Sequence, residues 1–208
     1  MAYFPLFIDI EKRPCLVAGG GKVALRKVQV LLDFCADVTV VAPDILEEIK
    51  VLENVQVSER EFLPEDIKEK ALVVAATDDA FANHQIAELC KAQGVMVNAV
   101  DQIEDCTFIF PAYVKRRDVV AAFSSSGKSP VVTQYLKAEE QEILTELIGE
   151  LNDALGEWRE KVKQLFDTEQ ERKQVFKEIL KLGIERQSVP TDEEIEELVF
   201  RLQNQKNF

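Results

Sequence analysis

The sequence has one histidine, His84, and its four cysteines lie 20, 55 and 16 residues apart, with no C-x-x-C pair. This excludes the usual cysteine and histidine sets of zinc sites, and we expect no metal ligands. It also lacks a run of about 18 uncharged apolar residues and the basic start of a secretory signal, so we expect a cytoplasmic protein without a membrane segment. With 25 basic against 38 acidic residues and a net charge of −13, it lacks the basic excess that nucleic-acid binding requires.

What the sequence does contain is a glycine turn. An apolar run at residues 15–18 is followed by three glycines and then by the start of a helical pattern. Gly19, Gly21 and Ala24 have the G-x-G-x-x-A spacing of a dinucleotide-binding turn, in which a pyrophosphate approaches the backbone at a helix start. The alternative is a glycine-rich turn without a ligand.

Apolar runs alternate with helical patterns through the first half of the chain. Strands are predicted at residues 14–18, 38–42, 55–62, 71–76 and 95–100, and helices or helical turns at 21–34, 45–52, 64–70 and 80–93. This alternation predicts an α/β fold with a Rossmann-type, doubly wound parallel sheet. Residues 3–8 are predicted to form an extra strand or a packing arm.

The pattern changes after Asp101. A short strand is predicted at residues 108–110, then a hairpin with its tip at 115–118, and then a long helix. Ser129 is predicted to cap this helix, which runs to Leu182 and is ended by Gly183. A capping box at residues 190–194 begins the last helix. We therefore predict an NAD-binding domain at 1–112, a small α+β dimerisation region at 113–140 and a helical C-terminal domain at 141–208.

Ligands of open α/β sheets bind beyond the carboxyl ends of the strands. We therefore assign the cofactor contacts to residues near these ends: Gly19, Gly21, Lys22, Val23, Pro43, Asp44, Thr77 and Asn98. Asp44 follows the second strand where a ribose would lie, but it is one or two residues late, and it is equally well explained as the N-cap of the next helix. Because no arginine nearby would pair with a 2′-phosphate, NAD is favoured over NADP.

Asp101 directly follows the fifth strand, where a nicotinamide ring would be delivered. A carboxylate there can take or give a proton, so Asp101 is the candidate catalytic residue, and an ordinary turn residue is the alternative. Glu104 and Asp105 are expected to be solvated loop carboxylates, and His84 a solvated helix residue. Cys106 is the candidate for a reactive thiol.

A basic segment stands out in this acidic chain. Lys115, Arg116, Arg117 and Lys128 are opposed between residues 115 and 128 only by Asp118, which gives a net charge of +3. Such a patch suits an anionic small molecule, and a solvated hairpin tip is the alternative. The serine run at 124–126 would bind an anion through its hydroxyls and amides, or be a plain loop.

Several segments together resemble the precorrin-2 dehydrogenases, the N-terminal part of siroheme synthases. They occur in the family's order at residues 3–7, 17–27, 40–43, 75–79, 97–101, 108–112 and 124–130. One departure is Ser126-Gly127, where the family usually has paired glycines. The methyltransferase module of the trifunctional members lies outside this resemblance.

The resemblance implies NAD-dependent oxidation of precorrin-2, an anionic tetrapyrrole, to sirohydrochlorin for siroheme and in some organisms cobalamin. It also implies a homodimer with Asp101 as the catalytic residue. Ser125 matches a serine that is phosphorylated in some members, and Lys115, Arg116, Arg117 and Lys128 would meet the substrate carboxylates.

Three alternatives stay open. Some relatives also insert ferrous iron into sirohydrochlorin, but with one histidine we expect this chain not to act as a ferrochelatase. A second alternative is a regulatory domain that senses NAD without turnover. A third gives the apolar helical stripe at residues 143–166 the main role, as an assembly surface.

Overall fold

A five-stranded parallel sheet of order β3-β2-β1-β4-β5 organises the first part of the chain. The strands are β1 (Pro14–Ala18), β2 (Asp37–Ala42), β3 (Val55–Glu59), β4 (Leu72–Ala75) and β5 (Met96–Ala99). The helices between them are α1 (Lys22–Asp33), α2 (Glu47–Lys50) and α3 (Ala80–Gln93). This is the predicted Rossmann-type fold, and it is confirmed.

The computed structural model describes residues 3–205. It divides the chain into two compact units, the first ending at Phe110 and the second beginning at Pro111. The second unit contains both the hairpin and the C-terminal helices, and the finer division at residue 140 stays a prediction. No helix within the described residues is long and apolar enough to cross a membrane.

The sheet is buried on both faces because its strands are almost wholly apolar. Cys15 and Val17 of β1 pack with α1 on one face, and Leu16 and Ala18 pack with α3 on the other. The period of two along β1 thus supplies two separate cores. Both cores hold the strand ends, and the loops that follow them, in fixed positions.

Two segments of the first unit form no strand: residues 3–8, predicted as an extra strand or a packing arm, and residues 108–110, predicted as a strand. Residues 3–10 have no regular structure, and Phe4 and Phe7 are exposed. The prediction of a strand at 108–110 is wrong. The apolar side chains there pack against other side chains, and the backbone does not pair with a neighbouring strand. The rings of Phe108 and Phe110 lie 5.3 Å apart, and the Lys27 ammonium lies 3.9 Å from the Phe110 ring centre.

The second unit begins with an antiparallel hairpin of β6 (Ala112–Arg116) and β7 (Val119–Phe123). Its tip is shorter than predicted. Arg116 pairs with Val119, so only Arg117, with a φ of 52°, and Asp118 form the turn. Lys115 and Arg116 therefore lie on the strand, and successive strand residues point to opposite faces.

Up to residue 205, where the described part of the chain ends, five helices follow the hairpin, whereas one long helix and a last helix were predicted. They are α4 (Pro130–Ile143), α5 (Glu146–Glu157), α6 (Arg159–Leu165), α7 (Glu169–Arg186) and α8 (Asp192–Gln205). The cap at Ser129 and the capping box before α8 are confirmed: Val132 donates to Ser129 Oγ, and Thr191 and Glu194 bond reciprocally.

The prediction of one long helix is wrong because the sequence contains signals that end one helix and begin another. Thr168 and Glu171 form a capping box that begins α7 anew. Gly183 does not end a helix but lies inside α7, where an added Cβ would be 2.3 Å from Leu151 Cδ2. The glycine thus serves a close approach between α7 and α5.

Part of the apolar stripe at residues 143–166 is buried inside the second unit. Trp158, Val162 and Phe166 are buried in a core with residues of α7 and α8. The Trp158 indole donates to Asp192 Oδ1 at 2.9 Å. Ile143 and Leu165 of the stripe are exposed, so a role as an assembly surface stays an alternative.

Candidate functional site

A groove of about 1340 Å³ lies at the carboxyl ends of the strands. Its walls include eight of the predicted site residues: Gly19, Gly21, Lys22, Val23, Pro43, Asp44, Thr77 and Asp101. Small-ligand pockets usually measure about 300–1,000 Å³, so this groove has room for a dinucleotide. The structure thus brings seven of the eight predicted cofactor residues and the candidate catalytic residue to one place.

The three glycines of the turn have different tasks. Gly19 has a φ of 126°, and a Cβ there would be 2.1 Å from the carbonyl oxygen of Ala76. At Gly20 a Cβ would be 2.1 Å from the carbonyl oxygen of Asp44. At Gly21 a Cβ would meet nothing within 4 Å. The first two glycines let loops approach closely, and the third leaves open space at the start of α1.

This open space suits an anion. Gly21 is the N-cap of the twelve-residue α1, and it offers no side chain to the free amides of the first turn. These amides and the helix dipole favour a phosphate group. A nicotinamide dinucleotide therefore fits the residues that are present, and the contact of its pyrophosphate with Lys22 and Val23 stays a prediction.

Asp44 does not cap the next helix. The N-cap of α2 is Leu46, whose amide donates to the Gly20 carbonyl at 3.0 Å. The alternative explanation of Asp44 is therefore wrong, whereas its place in the groove wall agrees with a ribose contact. That contact stays a prediction.

The loop after β4 is organised by Asn83, a buried residue that the sequence analysis missed. Its Oδ1 accepts from the Thr77 amide at 3.0 Å and from the Thr77 hydroxyl at 2.8 Å, and its Nδ2 donates to the Thr77 carbonyl. Asp79 caps α3 by accepting from the Phe81 amide at 2.8 Å. The T-D-D-x-x-x-N spacing was the available signal, since an asparagine one turn into a helix can bond back to the preceding loop.

Asn98 is placed differently from the other predicted cofactor residues. It is buried and is absent from the groove wall. Its amide donates to the Phe108 carbonyl at 3.1 Å and to Cys106 Sγ at 3.4 Å. Asn98 thus ties β5 to the segment after it, and a direct cofactor contact stays a prediction.

Asp101 is exposed at the groove and has a φ of 60°. The Val100 amide before it donates to the Ala75 carbonyl at 2.9 Å, and the Gln102 side chain after it donates to the Ala80 carbonyl at 2.9 Å. Non-glycine residues rarely adopt this left-handed conformation, which is often found at functional sites. The chain is therefore held on both sides of the carboxylate.

Asp105 is not a solvated carboxylate as predicted, but is buried. Its two oxygens lie 2.8 Å from His84 Nδ1 and 3.2 Å from Lys91 Nζ. The bond with His84 is the main cause that lowers the pKa of Asp105, and Lys91 lowers it further, although burial acts to raise it. His84 itself is exposed on the helix, as predicted, but its Nδ1 is engaged by Asp105.

His84, Glu88 and Asp105 bring three potential metal ligands within 4.8 Å of one another. The Lys91 ammonium lies 2.9 Å from Glu88 and 3.2 Å from Asp105, so a protein cation already serves both carboxylates. These contacts agree with a structural cluster, and the expected lack of metal ligands stays a prediction.

The cysteines also differ from expectation. Cys106 Sγ accepts from the Ala99 amide at 3.3 Å, and burial raises the pKa of its thiol. Burial raises the pKa of Cys15 and Cys90 to about 11. Cys35, in contrast, is exposed. Exposure therefore favours Cys35 over Cys106 as the thiol to test for reactivity.

The predicted substrate residues all lie in the second unit. Arg117 bonds to three carboxylates of α5, those of Glu146, Glu150 and Asp153, at 2.8–3.2 Å. Its guanidinium is thus already neutralised, and we do not retain it as a substrate contact. Arg116 donates to the Lys115 carbonyl.

The serine loop is a defined turn. Ser125 Oγ accepts from the Ser129 amide at 3.0 Å, and the Ser125 carbonyl accepts from the Lys128 amide at 3.1 Å. Ser126 and Gly127 have φ values of 53° and 78°. These are conformations that glycine favours, so Ser126 accepts a strain of about 1 kcal/mol where the family usually has a second glycine.

The strand order, the glycine turn at the end of β1 and the groove define a dinucleotide-binding protein of the Rossmann class. The switch in strand order falls between β1 and β4, and the groove lies at that point.

The comparisons with known proteins agree with this class. Residues 6–112 match the family model described as NAD(P)-binding, and the chain belongs to that family. Its cofactor is thus of the NAD(P) type.

Its relatives include two siroheme synthases. The chain is 39% identical over 176 residues to that of Ruthia magnifica subsp. Calyptogena magnifica, covering 83% of this chain and 37% of the relative. It is 40% identical over 189 residues to that of Nitrosospira multiformis, covering 86% and 40%. The resemblance found in the sequence motifs is confirmed, and the chain spans about two fifths of the length of these relatives.

A solved structure, titled SirC, precorrin-2 dehydrogenase, has a TM-score of 0.70 and 24% identity. The match covers 97% of this chain and 100% of that one. At this identity the likeness shows a shared fold.

Proposed function

We propose that this chain is an NAD-dependent dehydrogenase that oxidises precorrin-2 to sirohydrochlorin, a step toward siroheme. The observation that carries the proposal is the groove, in which the glycine turn and Asp101 line one cavity. The substrate is supported by the names of the similar proteins, two siroheme synthases and a precorrin-2 dehydrogenase.

Each part of the groove has a role in this reaction. The first amides of α1 hold the pyrophosphate, and Asp44 faces the ribose. Bound NAD would supply the acceptor for a hydride. Asp101 takes the proton, so that precorrin-2 loses two electrons and two hydrogens as one hydride and one proton. Water and solvent ions then carry this proton away from the exposed carboxylate.

The charge at the far end of the groove favours NAD over NADP. Glu47, Glu59 and Glu61 all line it, and Lys50 is paired with Glu59 at 2.7 Å and Glu47 at 3.0 Å. Since three carboxylates stand against this one lysine, a 2′-phosphate would meet a net negative wall. Arg60 is adjacent in sequence to Glu59 and Glu61, but its guanidinium donates to both carboxylate oxygens of Asp66.

We further propose that Lys115, Arg116, Ser125 and Lys128 contact the carboxylates of the tetrapyrrole. Lys and Arg supply the charge, and Ser125 lies in the turn described above. The chain is proposed to act in the cytoplasm.

A homodimer is also proposed. Helix α4 has no buried residue, and its apolar side chains Val131, Val132 and Tyr135 are exposed. An exposed apolar helix face of this kind is typical of a subunit interface. Light scattering should therefore give twice the chain mass of 23.6 kDa, and a mass of one chain would contradict the dimer.

Anaerobic turnover tests the activity directly. The wild-type chain should reduce NAD when precorrin-2 is added, with a kcat/KM at least about tenfold higher than for NADP. D101N should lose this activity and keep NAD affinity within twofold. The matched control is E104Q, an exposed carboxylate three residues away, which should keep both.

The alternative functions predict different results. A wild-type chain that binds NAD without forming NADH would contradict the dehydrogenase and favour the NAD-sensing domain. Siroheme formed from sirohydrochlorin and Fe²⁺ faster than in the metal-only control would show a ferrochelatase activity that we do not expect.

A further inference from the structure

We infer that Asp105 is a positioning residue that holds the loop after β5 against α3 and so fixes the Asp101 carboxylate at the groove. This inference rests on the proposed function, in which Asp101 takes the proton. It concerns a residue whose sequence context predicted only a solvated side chain.

The loop lies along one face of α3. The Gln102 side chain donates to the carbonyl of Ala80 at the start of the helix, and Asp105 meets His84 one turn later. Lys91, about two turns further on, completes the contact. Because positions 80, 84, 88 and 91 share a helix face, these contacts align the loop along the helix instead of fixing it at a point.

Asp105 is the buried charged group of this contact. It is the one buried acidic or basic residue in the described range 3–205, and only 7% of its side chain is exposed. A buried carboxylate is tolerated only when it is paired, and each Asp105 oxygen has its own partner. Glu88, which faces the same site, is in turn bonded to Lys91.

Asp101 depends on its neighbours for its position. In the described part of the chain its carboxylate has no hydrogen bond or salt bridge, and its backbone adopts a left-handed conformation. The short 3₁₀ turn Ile103–Asp105 follows at once, and the Asp105 amide donates to the Gln102 carbonyl at 3.0 Å. The anchored Asp105 thus fixes the chain four residues from the reacting group.

The test compares D105N with E104Q, which removes a charge from an exposed neighbour in the same turn. Asparagine keeps the size of Asp105 but loses the carboxylate. We expect kcat for NADH formation to fall at least tenfold in D105N, with the Kd for NAD unchanged within twofold, since the glycine turn is untouched. In a D101N background, D105N should cause no further loss, because both changes act on one group.

A second readout does not depend on activity. Amide hydrogen exchange in residues 102–106 should be at least tenfold faster in D105N than in E104Q, while exchange in β1 stays unchanged. H84Q keeps a side-chain donor and should lose less kcat than H84A. These two variants also serve as the test if D105N fails to fold.

The comparison of D105N with E104Q decides whether Asp105 positions Asp101. A kcat in D105N within twofold of E104Q, or equal exchange in the two variants, would overturn it. A parallel loss of NAD affinity and kcat would indicate a general structural role and would also overturn it. If the wild-type chain forms no NADH, the proposed function fails; the exchange comparison then decides separately whether Asp105 anchors the loop.

Discussion

Alanine substitutions at two adjacent glycines should separate the stability of the fold from the binding of the cofactor. Gly21 has a φ of −88° and a ψ of −171°, which any residue can adopt, and a Cβ there has no neighbour within 4 Å. Loss of backbone freedom in the unfolded chain stabilises G21A by about 0.4–1 kcal/mol. Alanine is a poorer N-cap than glycine by roughly 0.5–1 kcal/mol, so the two effects nearly cancel.

Gly20 should behave in the opposite way. Its added Cβ would lie 2.1 Å from the Asp44 carbonyl oxygen and 2.8 Å from Ile45 Cα, which are backbone atoms that cannot rotate away. Overpacking of this kind costs about 1–3 kcal/mol. For a chain of this size the melting temperature should then fall by roughly 2–12 °C in G20A and by no more than about 2 °C in G21A.

The affinity for NAD should be the property that G21A changes. The G21A methyl group points into the space that we assign to the pyrophosphate, so the Kd for NAD should rise at least about tenfold, or roughly 1.4 kcal/mol. Circular dichroism measures the melting temperature, and titration calorimetry the affinity. A folded G21A that binds NAD as tightly as wild type would refute the assignment of the pyrophosphate to the space at Gly21. A G20A of unchanged melting temperature would refute the close approach of the loops.

Two further predictions follow from the pKa shifts. A thiol reagent at pH 8 should modify Cys35 on the order of 100 times faster than Cys106, because burial raises the pKa of the Cys106 thiol; a fast phase that persists in C35S would contradict this. Arg60 holds the pKa of Asp66 below its usual value, so the pair stabilises the fold fully above the ordinary carboxyl pKa of about 4 and less as the pH falls through the lower folded value. D66N should therefore be about 1 kcal/mol less stable than wild type in urea at pH 7, with a difference that shrinks below pH ~4; a difference that does not depend on pH would refute the pairing.

The sheet could be predicted from the sequence because its signals are local. Each buried strand is a short apolar run, and the turn after β1 needs glycine for steric reasons that are visible in three successive letters. The groove followed from the rule that parallel strands deliver their loops to one edge. Near the groove, the ends of β1, β2, β4 and β5 and the starts of α1, α2 and α3 consequently agree with prediction to within two residues.

The anchoring of the loop after β5 could not be predicted in this way. His84 and Asp105 are 21 residues apart, and each stands among polar neighbours that are typical of solvated surface. Their pairing depends on how closely the loop follows α3, which is a tertiary property. The hairpin tip was misplaced for a related reason, since basic residues suggested a turn where strand pairing continued to Arg116.

In the C-terminal helices, the boundaries could not be predicted from hydrophobic periodicity. A 3.6-residue apolar period continued across the breaks near Leu144 and Phe166, since the separate helices bury the same kinds of residues in their own unit. The capping box at Thr168 and Glu171 was a readable stop and start signal that periodicity outweighed.

The left-handed backbone at Asp101 restricts which residues the position can accept for reasons unrelated to chemistry. Glycine and asparagine adopt a φ near 60° with little strain, whereas valine and isoleucine, with branched Cβ atoms, are strongly disfavoured there. In a library of all substitutions, folding and turnover would therefore rank the variants differently. Asparagine and glycine would rank high for folding and low for turnover, and the residues most harmful to folding would be identified by shape and not by charge.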